Sequence, residues 1–159
     1  MTKAAPTSAE TGADTGTGID VDDLTPAAPT GPWSVRGTGR RQVRPALEVY
    51  EDGELLDVVV LSRLSPALLC GARRGTGGGR PLGLAWGRLP LDGTLPTVEF
   101  ARGGLRRGRR SAPVVTVQGA FWLAWAEGEF AAVRARYDGG PCERMRLHRA
   151  RASVNGGSA

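Results

Sequence analysis

Arginine is the residue whose type and spacing suggest chemistry in this sequence. Near the C-terminus, Arg134 and Arg136 are separated by one residue, and so are Arg144 and Arg146. Steps of two place side chains on one face of a β-strand, so these four guanidinium groups and His148 are expected to share a face. Guanidinium groups hold carboxylates and phosphates through paired hydrogen bonds. The spacing therefore predicts an anion-binding face.

A turn joins the two arginine-bearing segments. Residues 138–141 read Asp-Gly-Gly-Pro, which is typical of a turn. A three-residue loop at this point places Arg136 opposite Arg144 and Arg134 opposite Arg146. Because like charges that face each other across a strand pair are destabilising, we expect an acidic group or a bound anion to relieve them.

A second arginine cluster lies in a glycine-rich segment. Residues 102–110 carry five arginines, and the next acidic residue is Glu127. These arginines are Arg102, Arg106, Arg107, Arg109 and Arg110. A flexible basic loop can follow a nucleic-acid backbone or an acidic protein surface. The alternative is a strand connection without a binding role.

The other residue patterns predict neither an enzyme nor a metal or cofactor site. His148 is the only histidine, and one histidine without a cysteine or carboxylate cluster does not form a zinc site. The segment 71–80 lacks the lysine of a phosphate-binding loop and the third glycine of the dinucleotide fingerprint. No nucleophile, base and orienting group have a recognisable spacing. The sequence predicts a non-enzymatic binding or regulatory module with no cofactor and no metal.

Charge is unevenly distributed along the chain. Up to Val35 there are one lysine and five acidic residues, net −4, whereas from Arg36 onward there are 20 arginines and 11 acidic residues, net +9. An acidic tail on a basic domain either shields the basic surface from other anions or simply keeps the chain soluble. The near absence of lysine is also typical of GC-rich bacterial coding, which accounts for part of the arginine excess.

Composition divides the chain into one domain and two tails. Residues 1–32 and 152–159 contain too few large apolar residues to offset the entropy of ordering, so we expect disorder there and a β domain over 33–151. No apolar run long enough for a membrane helix and no secretory signal pattern are present. Cys70 and Cys142 lack metal-ligand spacing and are expected to be buried thiols in a reducing compartment. We therefore expect a cytoplasmic protein that does not enter a membrane.

The domain reads as short strands between turns. The Asp52-Gly53 pair predicts a hairpin of residues 46–50 and 55–61, with Tyr50 opposite Leu55. In that register Glu48 lies opposite Asp57, and the inward face consists of Leu47, Val49, Leu56, Val58 and Val60. Further strands are predicted at 82–86, 97–101, 114–118 and 142–148. A helical turn is predicted at 65–71 and a glycine-rich loop at 73–80.

The segment 120–137 allows two interpretations. Aromatic residues and Gly128 favour a hairpin, whereas a stripe from Trp122 to Tyr137 at helical spacing favours a helix; we adopt the hairpin. With a three-residue turn, Trp122 lies beside Arg134 on the arginine face. The predicted fold is all-β: a small β-sandwich or β-barrel of about seven or eight short antiparallel strands, with one helical turn and a disordered N-terminal tail.

Three functions follow from these expectations. In the first, the arginine face and loop bind an acidic protein partner. In the second, they bind nucleic acid, with Trp122 stacking on bases as in single-strand binders. In the third, the chain is a structural subunit of a larger assembly, which would show as an exposed apolar patch around Phe121, Trp122 and Trp125. The sequence predicts no oligomeric state.

Overall fold

The computed structural model describes residues 31–38, 44–62, 64, 67–104 and 108–149, which form twelve β-strands and no helix. The strands are β1 (Trp33–Thr38), β2 (Ala46–Glu51), β3 (Glu54–Val60), β4 (Leu69–Gly77), β5 (Arg80–Arg88), β6 (Thr97–Ala101), β7 (Arg109–Ala112), β8 (Val114–Val117), β9 (Phe121–Glu127), β10 (Ala132–Arg136), β11 (Cys142–Arg146) and β12 (His148–Arg149). The predicted all-β fold is confirmed, with more strands than expected. The predicted tails, apart from residues 31 and 32, lie outside the described residues.

The strands form three sheets. A cover sheet has the order β1-β2-β3, a central sheet the order β12-β4-β5-β9-β8, and a basic sheet the order β11-β10-β6-β7. The pairing of β12 with β4 is parallel, whereas the other strand pairs of the described residues are antiparallel. Two apolar clusters separate the sheets. One includes Phe100 and Val133 of the basic sheet, and the other includes Leu47 and Val49 of the cover sheet.

The central and basic sheets together close into a barrel. Strand β7 continues into β8 through Pro113, and β11 continues into β12 through Leu147, so each of these chain segments belongs to both sheets. Hydrogen-bonded neighbours therefore run in a closed ring from β4 through β5, β9, β8/β7, β6, β10 and β11/β12 back to β4. Strands that bend from one sheet to another form the corners of such barrels. The cover sheet packs on the outside of the central sheet.

Both faces of β5 and β9, in the middle of the central sheet, are buried over most of their length, and the sequence of β5 shows why this is feasible. Leu82, Leu84 and Trp86 face the cover sheet, while Ala85 faces the barrel interior. The positions two residues before and after Ala85, on the same face of β5, are Gly83 and Gly87. A Cβ atom at Gly83 would lie 2.9 Å from the ring of Phe100. Small residues on one face of β5 thus leave room for the aromatic core of the barrel.

The first hairpin confirms the predicted turn and corrects part of the predicted face. Asp52 and Gly53 have positive φ angles of 50° and 82°, as a two-residue type I′ turn requires, and Tyr50 pairs with Leu55. A β-bulge between Val49 and Tyr50 then shifts the register. A one-residue shift exchanges the two faces of a strand.

The bulge changes which residues of β3 point inward. The prediction that Val58 and Val60 face inward is wrong, because these residues are 44% and 47% exposed. Val59, between them, is buried instead. Glu48 lies opposite Val58 instead of Asp57. The Asp57 carboxylate turns inward and accepts a 2.8 Å hydrogen bond from the Trp86 indole. That hydrogen bond satisfies the half-buried carboxylate.

The predicted helical turn and the predicted glycine-rich loop are both wrong. Residues 69–71 begin β4, and residues 65 and 66 lie outside the described residues. The segment 73–80 forms the end of β4, a turn at Gly78 and Gly79, and the first residue of β5. The glycine-rich composition of this segment is typical of a loop. Because β4 pairs with β5 from Leu69 to Gly77, the pairing overrides the weak strand propensity of these residues.

Residues 120–137 are extended, as predicted, but they do not form a hairpin. Strand β9 pairs with β5 and β8 in the central sheet, whereas β10 pairs with β6 and β11 in the basic sheet. The connection at residues 128–131 therefore crosses from one sheet to the other. The hairpin prediction is wrong because each strand has two antiparallel neighbours from other parts of the chain, which leaves no edge for pairing β9 with β10.

Candidate anion-binding face

Strands β10 and β11 form the predicted antiparallel pair in a different register. Arg134 lies opposite Arg144, and Arg136 lies opposite Cys142. The predicted pairs of Arg136 with Arg144 and of Arg134 with Arg146 are therefore wrong by two residues. The connection uses five residues, 137–141, instead of three. Because side chains alternate with period two, a shift of two leaves every side chain on its predicted face.

Strands β6 and β7 extend this face and add one acid and one base. Glu99 of β6 lies beside Arg134, and Ala101 of β6 lies between Ala132 and Arg109. We define the arginine face as the outer side of the basic sheet, with Arg109, Arg134, Arg136, Arg144 and Arg146 around Glu99. Four of these arginines are exposed, and Arg134 is half-buried.

Glu99 is the one carboxylate on the arginine face. Its Oε2 lies 3.9 Å from Nη1 of Arg109, and its side chain is 26% exposed. Cross-strand pairing also places it next to Arg134. With five guanidinium groups and one carboxylate, the face carries a formal charge of +4. Arg134 and Arg144, which face each other directly, repel one another.

Trp122 is not on the arginine face. It is fully buried in the barrel interior, where its Nε1 donates to the Arg88 carbonyl at 3.1 Å and to the Tyr137 hydroxyl at 2.9 Å. The prediction is wrong because β9, which carries Trp122, pairs with β5 and not with β10. All nine aromatic residues of the chain are described, and none is exposed.

The arginines of the predicted basic loop separate in the structure. Arg109 and Arg110 belong to β7, and only Arg109 joins the arginine face. Arg110 points the other way, and its Nη1 donates to the Glu127 carbonyl at 2.9 Å. Arg102 lies exposed at one end of the barrel. Arg106 and Arg107 lie outside the described residues.

His148 lies past the end of the arginine face. It belongs to β12, where it pairs with Arg73 of β4, and it is exposed. It was predicted at the end of a continuous strand 142–148, but Leu147 separates β11 from β12 and carries the chain into the central sheet. Within the described ranges, no group of three or more histidine, cysteine or acidic residues could hold a metal ion.

The two cysteines are free thiols in different surroundings. Cys70 is half-buried against the cluster under the cover sheet, and burial raises the pKa of its thiol. Cys142 is exposed beside Arg136, so the prediction of a buried thiol is wrong there. Cys142 lies opposite Arg136 on the outer side of the basic sheet, so its side chain points away from the core.

Two polar side chains that the sequence did not single out hold the connection between β3 and β4. The guanidinium group of buried Arg88 donates to the carbonyls of Ser62, at 2.6 Å, and Ala67. The Glu143 carboxylate accepts from the backbone N–H of Leu68 at 3.0 Å and also from that of Leu69. No sequence pattern distinguishes Arg88 from the other arginines. Its role depends on carbonyls more than 20 positions away in the chain.

The apolar patch expected of a structural subunit does not form at its predicted place. Phe121 and Trp122 are buried and Trp125 is half-buried. No helix within the described residues is long and apolar enough to span a membrane. Comparison of the chain with protein-family models, curated proteins and solved structures gives no significant match.

Proposed function

We propose that this chain is a non-enzymatic binding module whose arginine face docks an acidic protein surface. The observation that carries the proposal is the density of positive charge on one face of a sheet, where five arginines accompany a single carboxylate. Opposed guanidinium groups cost free energy in the unbound protein. Carboxylates of a partner would relieve that repulsion and accept paired hydrogen bonds from the arginines.

The absence of an exposed aromatic favours a protein partner over single-stranded nucleic acid. Sequence-tolerant single-strand binders stack bases on aromatic side chains within a basic groove. The aromatic expected for that purpose, Trp122, is buried, and no other aromatic of the described chain is exposed. The arginine face offers charge without stacking platforms, which suits recognition of carboxylates through hydrogen bonds.

The proposal is tested by fluorescence anisotropy with the full chain. The probes are a labelled polyglutamate peptide, a random single-stranded oligonucleotide and a duplex oligonucleotide, each at two salt concentrations. The double variant Arg134→Ser/Arg144→Ser removes the directly opposed pair at the centre of the face. The control Arg36→Ser/Arg80→Ser removes the same charge from exposed positions elsewhere.

We expect the peptide to bind the unaltered chain and the control, and the double variant to bind at least tenfold more weakly. Equal loss in the control would show that net charge alone drives binding and would contradict the proposal. Stronger binding of an oligonucleotide than of the peptide, with affinity falling steeply as salt rises, would replace it with a nucleic-acid function.

A further inference from the structure

One end of the barrel carries arginines at positions that elsewhere face its interior. Inward-facing residues follow each strand in steps of two: Ala72 in β4 and Phe100 in β6 are buried in the barrel. Arg74 and Arg102 come two residues after Ala72 and Phe100, so the same alternation directs their side chains toward the barrel axis. They lie at the rim, which is the end of the barrel where β6 and β12 end. Both line a cleft of about 460 Å³, which we call the barrel mouth.

The barrel mouth has apolar side chains among its polar lining. Phe130, from the connection between β9 and β10, lines the cleft and is itself buried, with its ring centroid 5.1 Å from that of Phe100. Phe130 belongs to the buried cluster of the barrel interior, so the cleft ends on the barrel core. Pro81 adds a further apolar wall. The cleft has a volume typical of small-molecule sites, which often lie in the mouths of β-barrels.

The guanidinium groups at the rim are available to a ligand. Arg74 projects from the central sheet and Arg102 follows the last strand residue of β6 in the basic sheet, so they approach the cleft from two walls. Within the described residues, neither takes part in an ion pair or a side-chain hydrogen bond. Arg149 pairs directly beside Arg74 and adds positive charge. Glu129 is the one acid in the lining.

We propose that the barrel mouth binds a small molecule with an oxyanion head group and an apolar body. Arg74 and Arg102 hold the phosphate or carboxylate oxygens by charge-assisted hydrogen bonds. The apolar body packs on Phe130 and Pro81. Glu129 opposes the anion and limits its affinity. This site is separate from the arginine face, and the inference does not rest on the proposed partner of that face.

Isothermal titration calorimetry of the full chain with phenyl phosphate and with benzoate tests the site, and phenol serves as the neutral probe. The ratio of the two anion affinities identifies which oxyanion the site prefers. We expect Arg74→Ser and Arg102→Ser each to weaken the preferred anion by about tenfold, and phenol to bind more weakly than either anion. Glu129→Gln should tighten anion binding severalfold, because it removes the opposing charge.

Two controls separate this site from general electrostatics. Arg36→Ser on the cover sheet and Arg134→Ser/Arg144→Ser on the arginine face should leave the affinity for phenyl phosphate and benzoate within twofold. Circular dichroism of each variant checks that the fold is retained. Absence of anion binding, equal weakening in the Arg36 control, or loss of binding in Glu129→Gln would each overturn the proposal.

Discussion

The indole Nε1 of Trp122 donates a hydrogen bond to the hydroxyl of Tyr137 at 2.9 Å, inside the barrel. The two residues come from different sheets, since Trp122 is in β9 and Tyr137 directly follows β10. Both are buried. Buried indole and phenol groups usually find such partners because an unpaired polar group in the core is costly. This contact joins the two sheets of the barrel, at the end away from the barrel mouth.

Removing the Tyr137 hydroxyl should cost a modest amount of stability. In Tyr137→Phe the Trp122 indole keeps the Arg88 carbonyl as an acceptor at 3.1 Å, so the donor is not left unpaired. We expect the free energy of unfolding to fall by about 1 kcal/mol, as measured by urea denaturation at pH 7. A loss of several kcal/mol would mean that the second acceptor does not compensate.

Tyr137 should also make stability depend on alkaline pH. Burial raises the pKa of its hydroxyl well above the ordinary value of 10, so the folded chain holds this proton more tightly than the unfolded chain. The resulting stabilisation is complete below about pH 10 and is lost as pH rises toward the folded-state pKa. Urea denaturation from pH 9 to 11 should show a steeper decline for the parent chain than for Tyr137→Phe.

The second tyrosine provides the background for that measurement. The hydrogen bond from Tyr50 to the Glu48 carboxylate also raises the pKa of Tyr50. The comparison is therefore made in Tyr50→Phe, where Tyr137 is the remaining tyrosine. In that variant, tyrosinate absorbance should not develop near pH 10 while the protein is folded. A titration at pH 10 in the folded state would contradict the burial of Tyr137.

Arg88 should be essential for stability in a way that exposed arginines are not. Arg88→Met leaves the carbonyls of Ser62 and Ala67 without this donor, and we expect a loss of about 3 kcal/mol. Arg136→Met, at an exposed position, should change stability by less than about 0.5 kcal/mol. Equal effects of the two substitutions on the urea midpoint would show that Arg88 does not anchor the connection between β3 and β4.

Gly71 should not tolerate alanine, because a Cβ atom at this position would overlap the ring of Trp86. Trp86 cannot move away without breaking its 2.8 Å hydrogen bond to Asp57. We expect Gly71→Ala to lower the free energy of unfolding by about 1–3 kcal/mol. Gly108→Ala is the matched control, since its nearest neighbouring atom lies 3.9 Å away. Thermal melts that rank the two variants equally would contradict the close packing.

Glu99 should stabilise the arginine face in a salt-dependent manner. Glu99→Gln removes the one carboxylate among five arginines. Because the face is solvated, we expect a loss of only about 0.5 kcal/mol at low salt, and a smaller loss at high salt, where screening weakens charge interactions. Glu54→Gln, in the exposed hairpin turn, is the control. An effect of Glu99→Gln that does not change with salt would indicate a packing role instead.

Much of the local structure follows from residue order alone. Alternation in β10 and β11 correctly predicts that Arg134, Arg136, Arg144 and Arg146 share a face opposite the buried side chains of Val133 and Ala135. That prediction is insensitive to an error of two residues in the register, because side chains repeat with period two along a strand. The Asp52-Gly53 turn is likewise predictable, since few residues adopt positive φ.

Strand partners were decided by the tertiary structure. Alternation shows which side chains of β9 lie together but not that β9 pairs with β5, so Trp122 was assigned to the arginine face although it lies in the core. The barrel mouth also depends on strand pairing, because Arg74 is in the central sheet and Arg102 follows a strand of the basic sheet, so they line one cleft only when the strands form a closed ring. Local periodicity reflects the geometry of one strand, whereas pairing depends on burial shared by residues far apart in the chain.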